Sequence, residues 1–276
     1  MRINRSTILA AAAVCGLLAA ATGCGKLQAL QARDRLNKGV QAFKSAKYAE
    51  AVDHFKVATD LDPTFPTARV YLASAFMSQY IPGAESPENI EMANNAFGEF
   101  NKVLEIDPNN KLAVQSIATL YFHQKKWDDA EKWNQKLIQV DANTKEAYYT
   151  LGVISWTRSF QKRMEARAKL GMKPEDPGPV KDNKVRAALA ADLLPTINGG
   201  IENLEKALKV DARYDDAMAY MNLLHRERGD LQDSKEAYKR DTDEADKWVQ
   251  KTLETKKQKQ QEAAEKQSQG IIQESK

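Results

Sequence analysis

Tyr48-Ala49-Glu50-Ala51-Val52-Asp53-His54-Phe55-Lys56-Val57-Ala58-Thr59-Asp60-Leu61-Asp62-Pro63 is the stretch on which the fold turns. Small residues at Ala51 and Ala58 flank the bulky Phe55. Two helices can approach closely only where a small residue lets their axes meet, and large residues then fill the space beside it. Asp62-Pro63 closes the segment. Proline has no amide donor and biases its predecessor away from helix, so the helix ends there. Twelve residues before Ala51 lies Gly39, the small contact residue of a preceding helix.

The pattern recurs, which is the first thing to test in a chain of this length. Leu72-Ala73 and Phe76 open a second unit that closes with Ala96, Phe100, Val103 and Asp107-Pro108. A third contains Ile117-Ala118, Tyr121, Trp127, Ala130, Leu137 and Asp141-Ala142. A fourth opens with Leu151-Gly152 and closes with Leu204, Ala207 and Asp211-Ala212. A fifth starts near Asp215 with Met221 and Tyr238, then drifts. There Ser234 replaces the usual Ala, and Asp241 sits where a buried small residue belongs.

These segments resemble tetratricopeptide repeats (TPRs). The resemblance implies an all-α fold, a TPR helix-hairpin solenoid of about five repeats with a C-terminal capping helix. Each hairpin has two apolar faces and must stack on neighbours. The array covers residues 32–246, with insertions at about 79–89 and 157–199; residues 247–276 supply the capping helix and a polar tail. Ala245, Trp248, Val249 and Leu253 point toward the last repeat, and beyond Lys256 the tail reads as solvated helix or disorder.

In TPR proteins the first helices of the hairpins line a groove. The resemblance maps groove positions to Leu36, Val40 and Phe43, then Val70, Tyr71 and Met77. Gln115, Thr119, Phe122 and His123 follow, then Tyr149, Val153 and Trp156, and last Tyr220, Leu223 and Arg226. Aromatic anchors with a polar tip dominate interfaces, so the implied partner is a protein or peptide segment. TPRs that clamp a C-terminal carboxylate do so with Lys and Asn. The matching positions are Leu36, Val40, Tyr71, Leu112 and Ser116, none of them a cation or Asn, which disfavours that partner.

The first insertion carries Pro82-Gly83 and Ser86-Pro87 as turn signals. In the second, Arg158 to Leu170 extends a helix, and Gly171, Pro174, Pro177, Gly178 and Pro179 make a loop. Asp182-Asn183 caps a short helix through Leu194, ended by Pro195 and Gly199-Gly200. Thr157 to Arg186 holds nine Lys or Arg against four acids. It reads as a solvated helix face and loop, with a docking arm for an acidic partner or anionic headgroups as the functional alternative.

The N-terminus is of another kind. Arg2 and Arg5 precede an uncharged run from Ile8 to Ala21, shorter than the roughly 20 residues a membrane span needs. Residues 1–23 read as a secretory signal. Ala21-Thr22-Gly23-Cys24 resembles the lipobox of bacterial lipoproteins, departing from it at Ala21, where Leu is usual. The resemblance implies that Cys24 is the lipid attachment site, followed by a short linker over 24–31. Gly25 in place of Asp means the inner-membrane retention signal of some lipoproteins is absent. The implied location is the bacterial cell envelope, anchored and facing the periplasm (outer membrane if Gram-negative). The alternative is cleavage near Ala21 and a soluble periplasmic or secreted protein. Cys15, the only other cysteine, would leave with the signal.

Residues 24–276 carry a net charge of +1, which gives no footprint for nucleic acid. No Gly-rich phosphate loop, HExxH or CxxC occurs, and no catalytic residue, cofactor or metal site is assigned. His54, His123 and His225 fall in three repeats without metal-ligand spacing. His225 occupies a packing position, and Asp128-Asp129 and Asp215-Asp216 sit at helix starts, where they complement the dipole. The sequence thus points to a non-enzymatic scaffold that binds a partner in its groove. The rivals are a soluble TPR protein holding a small ligand or glycan, or an enzyme with its site in the 157–199 insertion.

Overall fold

A computed structural model describes residues 5–274, with side-chain environments from residue 25 to 267. The expected signal segment and its Cys24 side chain fall outside that range. The described residues form ten α-helices and no strand. They fall into two compact units, divided after Lys126.

In the first unit, α1 (Arg5–Lys44) pairs with α2 (Tyr48–Leu61), and α3 (Pro66–Gln79) with α4 (Pro87–Ile106); α5 (Lys111–His123) packs on α4. Gly39 works as its spacing requires: a Cβ there would lie 2.4 Å from the Phe55 ring. Ala51, Phe55 and Ala58 are fully buried. The first insertion is a turn with Gly83 at φ +82, the left-handed conformation that glycine adopts without strain. Asn89 holds this turn, accepting from the Ile81 amide at 2.7 Å and donating to the carbonyls of Ile81 and Ala84.

The second unit contains α6 (Trp127–Val140), α7 (Lys145–Lys169), α8 (Asn183–Val210), α9 (Asp215–Gly229) and α10 (Lys235–Glu274). Helices α7 and α8 form one hairpin and α9 and α10 another. A Cβ on Gly152 would lie 2.5 Å from Leu204, and one on Gly200 would lie 2.6 Å from Ser155 Cβ and 2.9 Å from Leu224. Gly200 is thus a close-approach position for α8.

One expectation fails here. Pro195 does not end a helix, because α8 runs through it to Val210. The ring removes one backbone donor, but Leu193 and Ile197 on either side are buried in the core with Ile201 and Leu204. Packing of that apolar face outweighs the lost hydrogen bond, since most helix stability in a protein comes from burial.

The turns between hairpins share a device. Asp62, Asp107, Asp141 and Asp211 each accept, through Oδ1, the amide two residues on, at 3.1, 3.2, 2.9 and 2.9 Å. Each also donates its own amide back to the last helical turn. Such side-chain turns suit Asp. Proline follows only the first two, so the carboxylate, and not the proline, is the constant element.

At the C-terminus α10 is one helix past the expected cap. Thr252 and Thr255 are buried, whereas Leu253 is 57% exposed and does not face the last repeat. Trp248 does pack on the core. Beyond Lys256 the helix still touches α9 and its leading turn: Lys259 pairs with Asp215, and Glu262 with Arg213 at 2.9 Å.

Candidate partner-binding site

Helix α7 carries Tyr149, Val153, Trp156 and Phe160 at intervals of three or four residues, so they share a face. Tyr220 lies on α9, and Tyr214 caps the start of that helix. Their rings form a continuous row. Tyr214 to Tyr149 is 5.3 Å between centroids, Tyr149 to Tyr220 5.5 Å, Tyr220 to Trp156 5.6 Å and Trp156 to Phe160 5.0 Å. The two contacts of Tyr220 are close to perpendicular, at 83° and 81°, the edge-to-face geometry that ring quadrupoles favour. Tyr149, Tyr214, Tyr220 and Trp156 are half-buried on the core, and Phe160 is exposed.

Burial pushes the Tyr149 hydroxyl up to about 12, with smaller contributions from Tyr220 and Asp216. Tyr214 and Tyr220 are raised for the same first reason. All three therefore remain neutral hydrogen-bond donors near neutral pH. The row unites three groove residues mapped from the sequence, Tyr149, Trp156 and Tyr220, and adds two that were not, Tyr214 and Phe160. The signal for Phe160 was its place one turn after Trp156. Tyr214 sits in an inter-repeat turn, where helical spacing gives no cue.

In the first unit the mapped residues are more dispersed. Phe43 lies 5.3 Å from Tyr48 and 6.4 Å from Tyr71, and Tyr71 stacks on Phe55 at 5.4 Å. Val40, Val70 and Met77 are half-buried. Phe122 and His123 close α5. His123 lines a cavity of about 410 Å³ with Tyr80, Ile90, Asn94 and Lys125. Burial holds its imidazole below the usual histidine range, so it is neutral at pH 7.

The 157–199 insertion is not the solvated arm its charge count suggested. Arg163 makes a bidentate pair with Glu227, at 2.6 and 2.8 Å, and reaches Asp230 at 2.5 Å. Arg167, 1% exposed, pairs with Asp230 at 3.1 Å and donates to the carbonyls of Lys173, Asp176 and Gly178. The loop after α7 is thereby seated against the end of α9, where the Val180 amide donates to the Asp230 carbonyl at 3.0 Å. Met172 and Val180 of this loop are themselves buried. Burial pushes the Glu227 and Asp230 carboxyls up while the guanidiniums pull them back.

Other charges mapped from the sequence also have partners. His225 is buried, as its packing position implied, with Nδ1 3.6 Å from Asp241. Asp241 accepts from Arg228 at 2.8 and 2.6 Å and from Gln232 at 2.7 Å. Burial raises its carboxyl, but these hydrogen bonds outweigh it and hold it below the usual range. This explains how Asp occupies a small-residue position. Asp128 and Glu131 pair with Arg158, and Asp215 with Lys259. Among the described residues no group of three or more His, Cys, Asp or Glu could hold a metal ion, and no helix is long and apolar enough to cross a membrane.

Comparison with known proteins agrees with this architecture. A tetratricopeptide-repeat family model matches residues 91–152. Those residues are similar to tetratricopeptide repeats, and the helix hairpins of the chain have that fold. Sperm-associated antigen 1 of Homo sapiens is 28% identical over 184 residues, 60% of this chain and 19% of that protein. Its Mus musculus counterpart is 30% identical over 117 residues, 42% and 12% of the two chains. The chain thus spans a fifth or less of the length of these curated relatives. Among solved structures, the MamA protein superposes with a TM-score of 0.55 at 16% identity, over 84% of this chain and 94% of that one. MamA from Desulfovibrio magneticus RS-1 gives 0.52 at 17% identity, over 83% and 96%.

Proposed function

We propose that the chain is a non-enzymatic scaffold of a bacterial cell envelope that binds a segment of a partner protein along the first helices of its hairpins. The observation that carries this reading is the row of five rings from Tyr214 to Phe160. Four of the five, Tyr149, Tyr214, Tyr220 and Trp156, are half-buried with polar tips, and such rings give large contact area at low entropic cost. The charged groups of the long insertion support a structural use of that segment, because Arg163, Arg167, Glu227 and Asp230 are engaged with one another. Tyr149→Ala with Trp156→Ala is expected to weaken partner binding by about 2 kcal/mol or more. Crosslinking from envelope fractions should show partners of the wild type disappearing in that variant and in Tyr71→Ala with Phe122→Ala. Partner lists identical across all three would remove the groove as the working surface.

The location belongs to the same proposal and rests on the N-terminal sequence. Acyl chains on Cys24, each contributing about 0.8 kcal/mol per buried CH₂, would hold the repeats at the membrane. A Cys24→Ala variant is expected to move from the membrane pellet to the soluble fraction, and one that stays in the pellet would sink the anchor.

A further inference from the structure

Two carboxylates share helix faces with the aromatic row. Glu146 lies one turn before Tyr149 on α7, and Asp216 one turn before Tyr220 on α9. Residues three or four apart on a helix are surface neighbours. Both acids are exposed, and neither forms a salt bridge among the described residues. Their fields reach the rings: Asp216 acts on the hydroxyls of Tyr149, Tyr214 and Tyr220, and Glu146 on that of Tyr214.

Lys169 aside, at the far end of α7 from Glu146, the cations of the same two helices are otherwise engaged. Lys145 is held by Asp211 at 2.6 Å, with its ammonium 4.7 Å from the Tyr214 ring centroid. Arg158 is held by Glu131 at 2.5 Å, Lys162 by Asp192 at 2.8 Å and Arg226 by Asp246 at 2.6 Å. Arg163 is buried against Glu227. Two unpaired negative charges therefore flank half-buried π-systems. Both elements attract a cation, the carboxylates by Coulomb attraction and the ring faces through their quadrupole. Lys145 over Tyr214 shows the second contact already made once by a residue of the chain.

We infer that the row on α7 and α9 takes a basic segment of a partner protein. Its Lys or Arg side chains lie between Glu146, Asp216 and the faces of Tyr149, Tyr220 and Trp156. This rests on the groove reading above and gives it a charge. An acidic segment would meet two like charges with no free cation beside them, and an uncharged one would gain nothing from either carboxylate.

The test is selection from a random peptide library on the full-length chain, with the enriched peptides re-measured on variants. Peptides rich in Lys and Arg are expected. Their affinity should drop about tenfold on Glu146→Gln with Asp216→Asn, the equivalent of about 1.4 kcal/mol. It should also fall as salt is raised, since exposed charges are screened. These two substitutions are exposed and isosteric, so circular dichroism should match the wild type. Enrichment of acidic or uncharged peptides that still need Tyr149 and Trp156 overturns the basic partner and leaves the groove standing. Failure to enrich any peptide that depends on Tyr149 and Trp156 overturns both.

Discussion

Arg163→Ala will destabilise the second unit by about 3–5 kcal/mol, the range for removing one member of a buried ion pair. Glu227 is 3% exposed and Arg163 10%. Truncating the arginine leaves the Glu227 carboxylate in a desolvated site with its bidentate partner gone. Asp230 keeps only the longer 3.1 Å contact to Arg167. The penalty arises from the stranded charges, so it should shrink when they are removed too. Arg163→Met with Glu227→Leu is expected to recover most of the loss, because an apolar pair of similar volume is often as stable as a buried ion pair. Urea denaturation of the three proteins reads both effects. A loss below about 1 kcal/mol for the single variant, the range of a surface pair, would show that the cluster is solvated.

Phe55→Ala should cost about 3–5 kcal/mol in the first unit, as for other large-to-small changes in a core. The ring is fully buried, stacks on Tyr71 at 5.4 Å and fills the space left by the missing side chain of Gly39. Denaturant unfolding followed by far-ultraviolet circular dichroism measures the loss. A cost under about 1.5 kcal/mol, typical of a tolerated swap, would mean that α1 and α2 are not locked by this contact.

The hairpins were legible because their cause is local. A small residue, a large one a turn later and an Asp at the end recur along the chain, and each acts within its own hairpin. The same reasoning misassigned α8, because Pro195 is a local signal that a non-local core overrides. It also missed the arginine cluster: Arg163 and Glu227 are 64 residues apart, and charge counting over a window cannot pair them. The candidate site was half legible. Tyr149, Trp156 and Tyr220 follow from helical position. Their union with Tyr214 into one row depends on a turn that the Asp211 carboxylate shapes, and Glu146 and Asp216 gain meaning only once every nearby cation is seen to be taken.

The seated loop has a consequence for how the second unit comes apart. In a plain repeat array each hairpin depends only on its neighbours, so opening can start at an end and spread inward. Here Arg167 on α7, the loop carbonyls at 173–178 and Asp230 after α9 meet at one point, and the Gly178 amide is tied to Tyr238 on α10. Helix α10 cannot lift away without unpinning the loop, nor the loop without exposing two arginines. The insertion thus turns the C-terminal hairpins from separable modules into a single cooperative block.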